Sequence, residues 1–467
     1  MPRKAMRDVV VVLPGITGSV LQRDGKDVWN VSGGAVLGAL LSLGRNIREL
    51  ALDDDPAEVD DLGDGVTAPS VIRDIHLIPG LWKIDGYTKC VEHVLDTFDV
   101  ERGRNFFEFP YDWRRDNRAA ARKLARESER WLGEWRERSG AEDAKLILIG
   151  HSMGGLVSRY FLECLDGWRT TRVLLTFGTP YRGSMNAVTT LAHGMRKKIG
   201  PVGLDLSALA RSFTSIYQLL PTYPCVAAGE GDLVRVADVA IPNVDRAKAQ
   251  AAFEFHEEIR LAIEDHERDE EYREGRYDIR PVIGILQPTS QSIRLANGKV
   301  ALLRSHRGKD DGGDGTVPRV SATPRDVERE ANAMFATERH ASLQNDEPVL
   351  HQVTGVLSGL EIDWDAFRAA VPAVGISLDV EDLYAPGEPV RVRARPEEQP
   401  SDLLNVRAEN VETGEKTVGQ TMRLADDGWY EAELGPFPEG AYRVTVFGAG
   451  AIEPVTDVLV VLADDEA

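Results

Sequence analysis

The sequence predicts an α/β fold, a mostly parallel doubly wound sheet, followed by a separate all-β sandwich. Apolar strand-like runs near 9–13, 105–109, 145–149, 172–177 and 280–286 carry the first part, with helical periodicity at 87–99, 117–138 and 153–165 between the first four. Such alternation lays strands parallel and covers both faces of the sheet with helices. Near Ala370 the texture changes. Short alternating segments at 376–380, 390–394, 404–408, 429–433, 442–446 and 458–461 follow, divided by Gly and Pro turns at sandwich-like spacing. The 467 residues exceed what one compact domain usually holds. The expected division is therefore 1–370, with insertions at about 30–80 and 185–280, and 371–467.

Taken in chain order, Val9–Leu13 is the first strand and Pro14-Gly15-Ile16 the loop that leaves it. Such a loop, at the C-terminal end of a parallel strand, is where ligands meet this kind of sheet. Residues 31–44 carry one charge-free stretch with Val36, Leu37, Leu40 and Leu41 on a single helical stripe. It is too short to span a bilayer. It reads equally as a mobile lid or interfacial anchor and as a buried helix. Leu37, Leu40 and Leu41, with Trp82, are the candidate substrate-binding residues.

Lys145–Ile149 is a short buried strand, and Gly155–Leu162 opens a helix with Leu156, Val157, Tyr160 and Phe161 at helical spacing. Between them stands Gly150-His151-Ser152-Met153-Gly154. A G-x-S-x-G between strand and helix is a nucleophile elbow, because the chain must turn back within a few residues and lifts the serine above the sheet. The backbone N–H of Met153 then points at the same spot as Ser152 Oγ. A serine hydroxyl is a weak nucleophile, so an acid and a histidine must follow it in the chain. His76, His93 and His151 come too early, and His193, His256 and His266 lie in an irregular or highly charged middle section. His340, in a loop after a short segment that could be the last strand, is the candidate base, with His351 the fallback. Asp314, flanked by Gly313 and Gly315 after the strand-like Val300–Leu303, is the candidate acid, with Asp311 the runner-up. The spacing there does not fit a calcium loop. Amides of Met153 and Ile16 would hold the oxyanion.

These residues carry a family resemblance. The chain resembles the lecithin:cholesterol acyltransferase and lysosomal phospholipase family of α/β-hydrolases over about residues 8 to 360. The stretches concerned are Val9–Ser19, Phe109–Arg114, Phe177–Ser184 and Gly313–Pro318, besides the elbow. The resemblance places Ser152, Asp314 and His340 on the triad positions and Ile16 on the second oxyanion amide. It implies a phospholipase A or lipid acyltransferase acting through an acyl-enzyme. Water and a lipid alcohol both remain open as acceptor. A carboxylesterase on small soluble esters, an amidase or peptidase, and a non-catalytic scaffold are the alternatives. The segment from Val374 onward resembles a bacterial immunoglobulin-like sandwich without histidine or cysteine, expected to serve as an interaction or docking module for a protein partner.

A net charge of −21 excludes general nucleic-acid binding and long-range attraction to an anionic membrane. Met195–Ile199 is a small basic knot, readable as a solvated turn or as a contact for phosphate headgroups at a membrane surface. The charged stretch Asp245–Arg273 reads as a solvent-facing helical strut. Cys90, Cys164 and Cys225 form a sparse odd set without metal-ligand spacing, so no metal and no cofactor are expected. The family's secreted members have disulfides, one bracketing a lid, and this chain has no cysteine between Gly18 and Lys89. Met1–Asp8 is basic, but the apolar stretch behind it is broken at Pro14-Gly15 with no cleavage site following. The expected location is cytoplasmic, with peripheral membrane contact left open.

Overall fold

The computed structural model describes residues 3–30, 47–73, 76–78, 82–199, 202–229, 231–324, 333–358, 375–397, 403–417, 419–448 and 452–462. The stripe Val36, Leu37, Leu40 and Leu41 lies outside the described residues. Trp82 begins a short strand, Trp82–Ile84, paired antiparallel with His76–Ile78.

A six-stranded, all-parallel sheet forms the centre. Its strands are β1 (Val9–Leu13), β2 (Phe106–Glu108), β3 (Leu146–His151), β4 (Thr171–Phe177), β5 (Asp278–Gly284) and β6 (Met334–Ala336), in the spatial order β6-β5-β4-β3-β1-β2. Every residue of β1 and β3 is buried, which explains why they read as unbroken apolar runs. A parallel strand covered on both faces has no solvent side on which to place polar residues. The helices between them are α1 (Thr88–Thr97), α2 (Asn117–Ser139) and α3 (Met153–Cys164). Their amphipathic faces split the core into two layers, one on each side of the sheet. Leu124, Trp131, Leu156 and Val157 belong to one layer, and Val91, Val94, Ile147 and Ile149 to the other.

One expectation needs correction. The charged stretch is two helices, α4 (Arg246–His266) and α5 (Glu270–Gly275), and the first is no strut. Its Ala249, Ala252, Phe255, Ile259 and Ile263 are buried, and Phe255 stacks on Tyr160 of α3 with ring centroids 5.4 Å apart. The high charge count hid a regular apolar stripe beneath it. Val300–Leu303 is a strand, Lys299–Leu303, but it does not belong to the central sheet. It pairs with Ser292–Ala296 in a small outlying sheet completed by Val226–Ala227. The last strand of the central sheet before Asp314 is therefore β5.

The chain from Ile376 forms two sheets around one core. The first contains β7 (Ile376–Val380), β8 (Val390–Pro396) and β10 (Tyr430–Leu434); the second contains β9 (Asn405–Asn410), β11 (Gly440–Phe447) and β12 (Val455–Val461). Alternate residues such as Val390, Val392 and Ala394 face the shared interior, as period-two patterning requires. Most pairs are antiparallel; the short strand Leu383–Tyr384 joins β12 in parallel. The strand-like segments of the sequence correspond to β7 through β12, while two-residue strands such as Gln420–Thr421 carry too little pattern to be read.

Gly155, in the first turn of α3, is a point of close approach. A Cβ there would lie 2.0 Å from Thr179 Oγ1. Gly155→Ala is expected to cost about 1–3 kcal/mol, the usual penalty for overpacking. Gly133, in α2 with nothing near its would-be Cβ, should instead gain about 0.5–1 kcal/mol as alanine. Urea unfolding of the two variants checks both signs.

Candidate active site

Ser152 sits between β3 and α3 with φ 50° and ψ −121°. This is a conformation that non-glycine residues rarely adopt and that persists only where the surroundings over-determine it. Its N–H donates to Phe177 O at 2.8 Å, and its carbonyl accepts from Gly155 N and Thr179 Oγ1, both at 3.0 Å. The elbow is thus clamped to the end of β4. Met153 begins α3, so its amide belongs to the helix terminus, where N–H groups have no intrahelical acceptor.

Ser152, His340 and Asp314 come together from three separate parts of the chain. His340 Nε2 lies 3.1 Å from Ser152 Oγ, and His340 Nδ1 lies 2.7 Å from Asp314 Oδ2. The other oxygen, Oδ1, accepts from the backbone N–H groups of Thr316 at 2.9 Å and Val317 at 2.7 Å. Those two amides fix the carboxylate and leave Oδ2 for the imidazole. The main chain adds a further tie, His340 N donating to Asp314 O at 2.8 Å. Gly178, with φ 54°, lies directly beneath this pair: a Cβ there would come within 2.7 Å of Asp314 Oδ2 and 2.8 Å of His340 Nδ1. That close approach accounts for the glycine in Phe177-Gly178-Thr179-Pro180.

The two fallback residues lie elsewhere. His351 is exposed on α6 (Glu347–Leu357). Asp311 pairs with Lys309 at 2.5 Å in the preceding turn.

A buried hydrogen-bond chain that sequence reading missed runs through the x of the G-x-S-x-G. Gly15 N donates to Tyr87 Oη at 2.8 Å, and the Tyr87 hydroxyl donates to His151 Nδ1, also at 2.8 Å, because the other ring nitrogen of His151 faces a carbonyl oxygen, which only accepts. That leaves the proton of His151 on Nε2, facing His340 O at 3.2 Å. The chain connects the Pro14–Ile16 loop to the backbone of His340. Order along the chain set His151 aside as a base, and nothing in the local pattern around Tyr87 marks it. Burial and the adjacent His340 push the His151 pKa down to about 3, so it stays neutral here.

The Phe109–Arg114 motif supports the same loop. Tyr111 Oη donates to Pro14 O at 2.8 Å and Trp113 Nε1 to Ser19 O at 3.0 Å. Arg114, fully buried, pairs with Asp112 and Asp64 and donates to Leu50 O at 3.0 Å. Arg115 does the same for Asp55, Val59 and Asp60. One face of the motif therefore holds the loop beside Ser152 and the other anchors the segment after residue 47. Ile16 is buried in that loop.

Residues 80–280 match the model of the lecithin:cholesterol acyltransferase family. Over that stretch the chain is lecithin:cholesterol acyltransferase-like. The match contains the Phe109–Arg114 motif, the elbow and Phe177–Ser184, and ends before Asp314 and His340. A bovine lysosomal phospholipase A and acyltransferase is 28% identical over 155 residues, 31% of this chain and 36% of that protein. Its human counterpart is 26% identical over 155 residues, 31% of this chain and 35% of that protein. The alignments thus span about a third of the length of these curated relatives. Among solved structures, a Bacillus licheniformis lipase in its mature form is 12% identical with a TM-score of 0.35, covering 76% of this chain and 93% of that one. The phospholipase PlaB of Legionella pneumophila is 9% identical with a TM-score of 0.32, covering 98% and 92%. The parallel sheet, its strand order and the strand–elbow–helix of the acyltransferase-like region themselves define the fold as an α/β-hydrolase.

Among the described residues no group of histidines, cysteines and carboxylates is placed to hold a metal ion, and no helix is long and apolar enough to cross a membrane. Of the basic knot, Arg196 pairs with Asp205 across a hairpin at 2.9 Å.

The neutral His151 makes a prediction about pH. Below the ordinary histidine value of 6.5 the unfolded chain takes up a proton that the folded His151 refuses. Its contribution is therefore present above pH 6.5 and is lost as pH falls toward about 3. His151→Gln keeps an N–H facing His340 O without a titrating ring. Relative to wild type, it should lose about 2 kcal/mol less between pH 7 and pH 5. Urea midpoints at the two pH values measure the difference; equal losses would contradict a neutral buried ring.

Proposed function

We propose that the protein is a serine hydrolase or acyltransferase that cleaves acyl esters of lipids. The observation that carries this reading is the Ser152–His340–Asp314 array, with both imidazole nitrogens engaged at 3.1 and 2.7 Å. His340 takes the Ser152 proton as Oγ attacks the ester carbonyl, and Asp314 orients and stabilises the imidazolium. Amides of Met153 and Ile16 hold the oxyanion of the tetrahedral intermediate. Collapse expels the alcohol, protonated by His340, and leaves an acyl-Ser152 ester. Water or a second alcohol, deprotonated by His340, then releases the acyl group and restores the serine.

The lipid part of the proposal draws on the relatives, which by name are phospholipases and acyltransferases. The expected substrate is a phospholipid met at a membrane surface. Three cysteines without disulfides, two of them buried, support a reducing compartment such as the cytoplasm; the mammalian relatives are by name lysosomal.

Mass spectrometry of phospholipid vesicles incubated with wild type and Ser152→Ala tests the reading. The expected result is Ser152-dependent lysophospholipid together with free fatty acid. Acyl groups reappearing on an added lipid alcohol make the protein a transferase. Turnover of p-nitrophenyl butyrate without any change in the lipids reduces the proposal to a small-ester hydrolase. A Ser152 that fails to react with a fluorophosphonate overturns it in favour of a scaffold.

A further inference from the structure

An interaction module needs little from the domain it is fused to, yet here the C-terminal sandwich is bonded to the loop that carries His340. Thr337, Glu338 and Arg339, the three residues before it, each reach across. Thr337 Oγ1 donates to Glu453 Oε2 at 2.8 Å. The buried Glu338 carboxylate accepts from Thr456 N at 3.0 Å and from Arg339 N at 2.7 Å. Arg339 donates to Leu378 O at 2.7 Å, and its other terminal nitrogen lies 3.0 Å from Asp457 Oδ2. Asp457 is wholly inaccessible to solvent. A buried ion pair of this kind is strongly unfavourable to break, because it leaves an uncompensated charge behind.

The acid loop is tied to the same surface. Gln287 is fully buried; its side-chain N–H groups donate to Thr337 O at 2.5 Å and Ile376 O at 2.9 Å, and its carbonyl accepts from Leu378 N at 3.1 Å. Its backbone N–H donates to Gly313 O at 3.0 Å, next to Asp314. One residue, through its side chain and its backbone N–H, thus connects the His340 loop, β7 and the Asp314 loop. Leu286, beside it, has φ 69°, which a leucine does not adopt without cause. Its carbonyl is held by Ser377 Oγ at 2.7 Å.

We propose that the sandwich is a positioning element of the catalytic site: Glu453, Thr456, Asp457 and the backbone of β7 hold residues 337–339, and through them His340, at bonding distance from Ser152. The proposal rests on the serine-hydrolase reading above. Its physical content is that an imidazole a fraction of an ångström out of line loses rate without losing substrate binding. Residues 337–339 touch neither substrate nor reacting atoms in this account; they act through His340.

The test uses the full chain, with the second-order rate of fluorophosphonate labelling at Ser152 and the kcat and KM for p-nitrophenyl butyrate. Arg339→Met and Asp457→Asn should each lower the labelling rate and kcat by about 10- to 100-fold, with KM within about threefold of wild type. The double variant should be no slower than the slower single one, since both remove the same tie. Val390→Ala, in the sandwich core and paired in register with Leu434 rather than with any of these contacts, should lower the melting temperature while keeping the labelling rate within about twofold. Folded Arg339 and Asp457 variants that label at the wild-type rate would overturn the proposal, as the contacts would then be only domain adhesion. If those two variants do not fold, Thr337→Val and Glu453→Gln decide. A loss of about threefold in each supports positioning through the shared hydrogen bond; wild-type labelling by both overturns it. A wild-type chain that does not label at all overturns the hydrolase reading itself, and this proposal with it.

Discussion

The orientation of one imidazole organises this molecule. His340 is held by its two ring nitrogens, to Asp314 and Ser152, and by its main chain, to Asp314 O on one side and His151 on the other. None of these partners is near it in sequence. The parallel sheet is what makes the meeting possible, because every strand delivers its C-terminal end to the same edge. Ser152 follows β3, the Asp314 loop lies against the end of β5, and His340 follows β6. The strain at Ser152 and the two glycine-dependent close approaches, at Gly155 and Gly178, are consequences of bringing so many chain ends to one place.

The buried groups that bond to that imidazole and to its backbone are themselves held by further partners. Asp314 divides its two oxygens between backbone amides and the ring, so its charge is satisfied without solvent. Tyr87 and His151 transmit one direction of hydrogen bonding from Gly15 to His340 O, and that direction fixes the His151 tautomer. A charged His151 would carry a second proton, on Nδ1, and reverse the link from Tyr87; its burial disfavours that charge. The Phe109–Arg114 motif fits the same account. Its tyrosine holds Pro14 and its tryptophan Ser19, while Arg114, with Arg115 just after it, satisfies carboxylates and carbonyls of the segment that begins near residue 47.

Much of this was legible in the sequence where one side-chain pattern has one physical meaning. The buried strands read as unbroken apolar runs, and the elbow read as a strand, a glycine-bounded serine and a helix. Asp314 and His340 were legible because chain order and flanking glycines restrict the choice. What was not legible depends on contacts between distant residues. Val300–Leu303 has the composition of a central strand, and only its partner, Ser292–Ala296, shows that it belongs to an outlying sheet. The α4 helix looked solvent-facing because Glu, Arg and Lys recur along its whole length, although five of its apolar residues lie on one buried stripe. Tyr87 and Gln287 have no local signature at all. A tyrosine and a glutamine become informative only when three buried groups are seen to converge on them.

The change of texture near Ala370 marks a boundary of architecture, and it is tempting to treat it as a boundary of function. The hydrogen bonds argue otherwise. A module that merely recruited a partner would keep its polar groups for that partner and meet its neighbour through a thin, solvated contact. Here a wholly buried aspartate of the sandwich pairs with Arg339, and a buried glutamate and a buried glutamine from the loops of the candidate site bond to the sandwich backbone. Buried charges so placed hold one relative geometry and penalise others, which is a poor design for a flexible tether and a good one for keeping a ring in register. On the positioning proposal, the two sheets beyond residue 375 support the candidate site from a distance, although none of their side chains needs to meet the substrate.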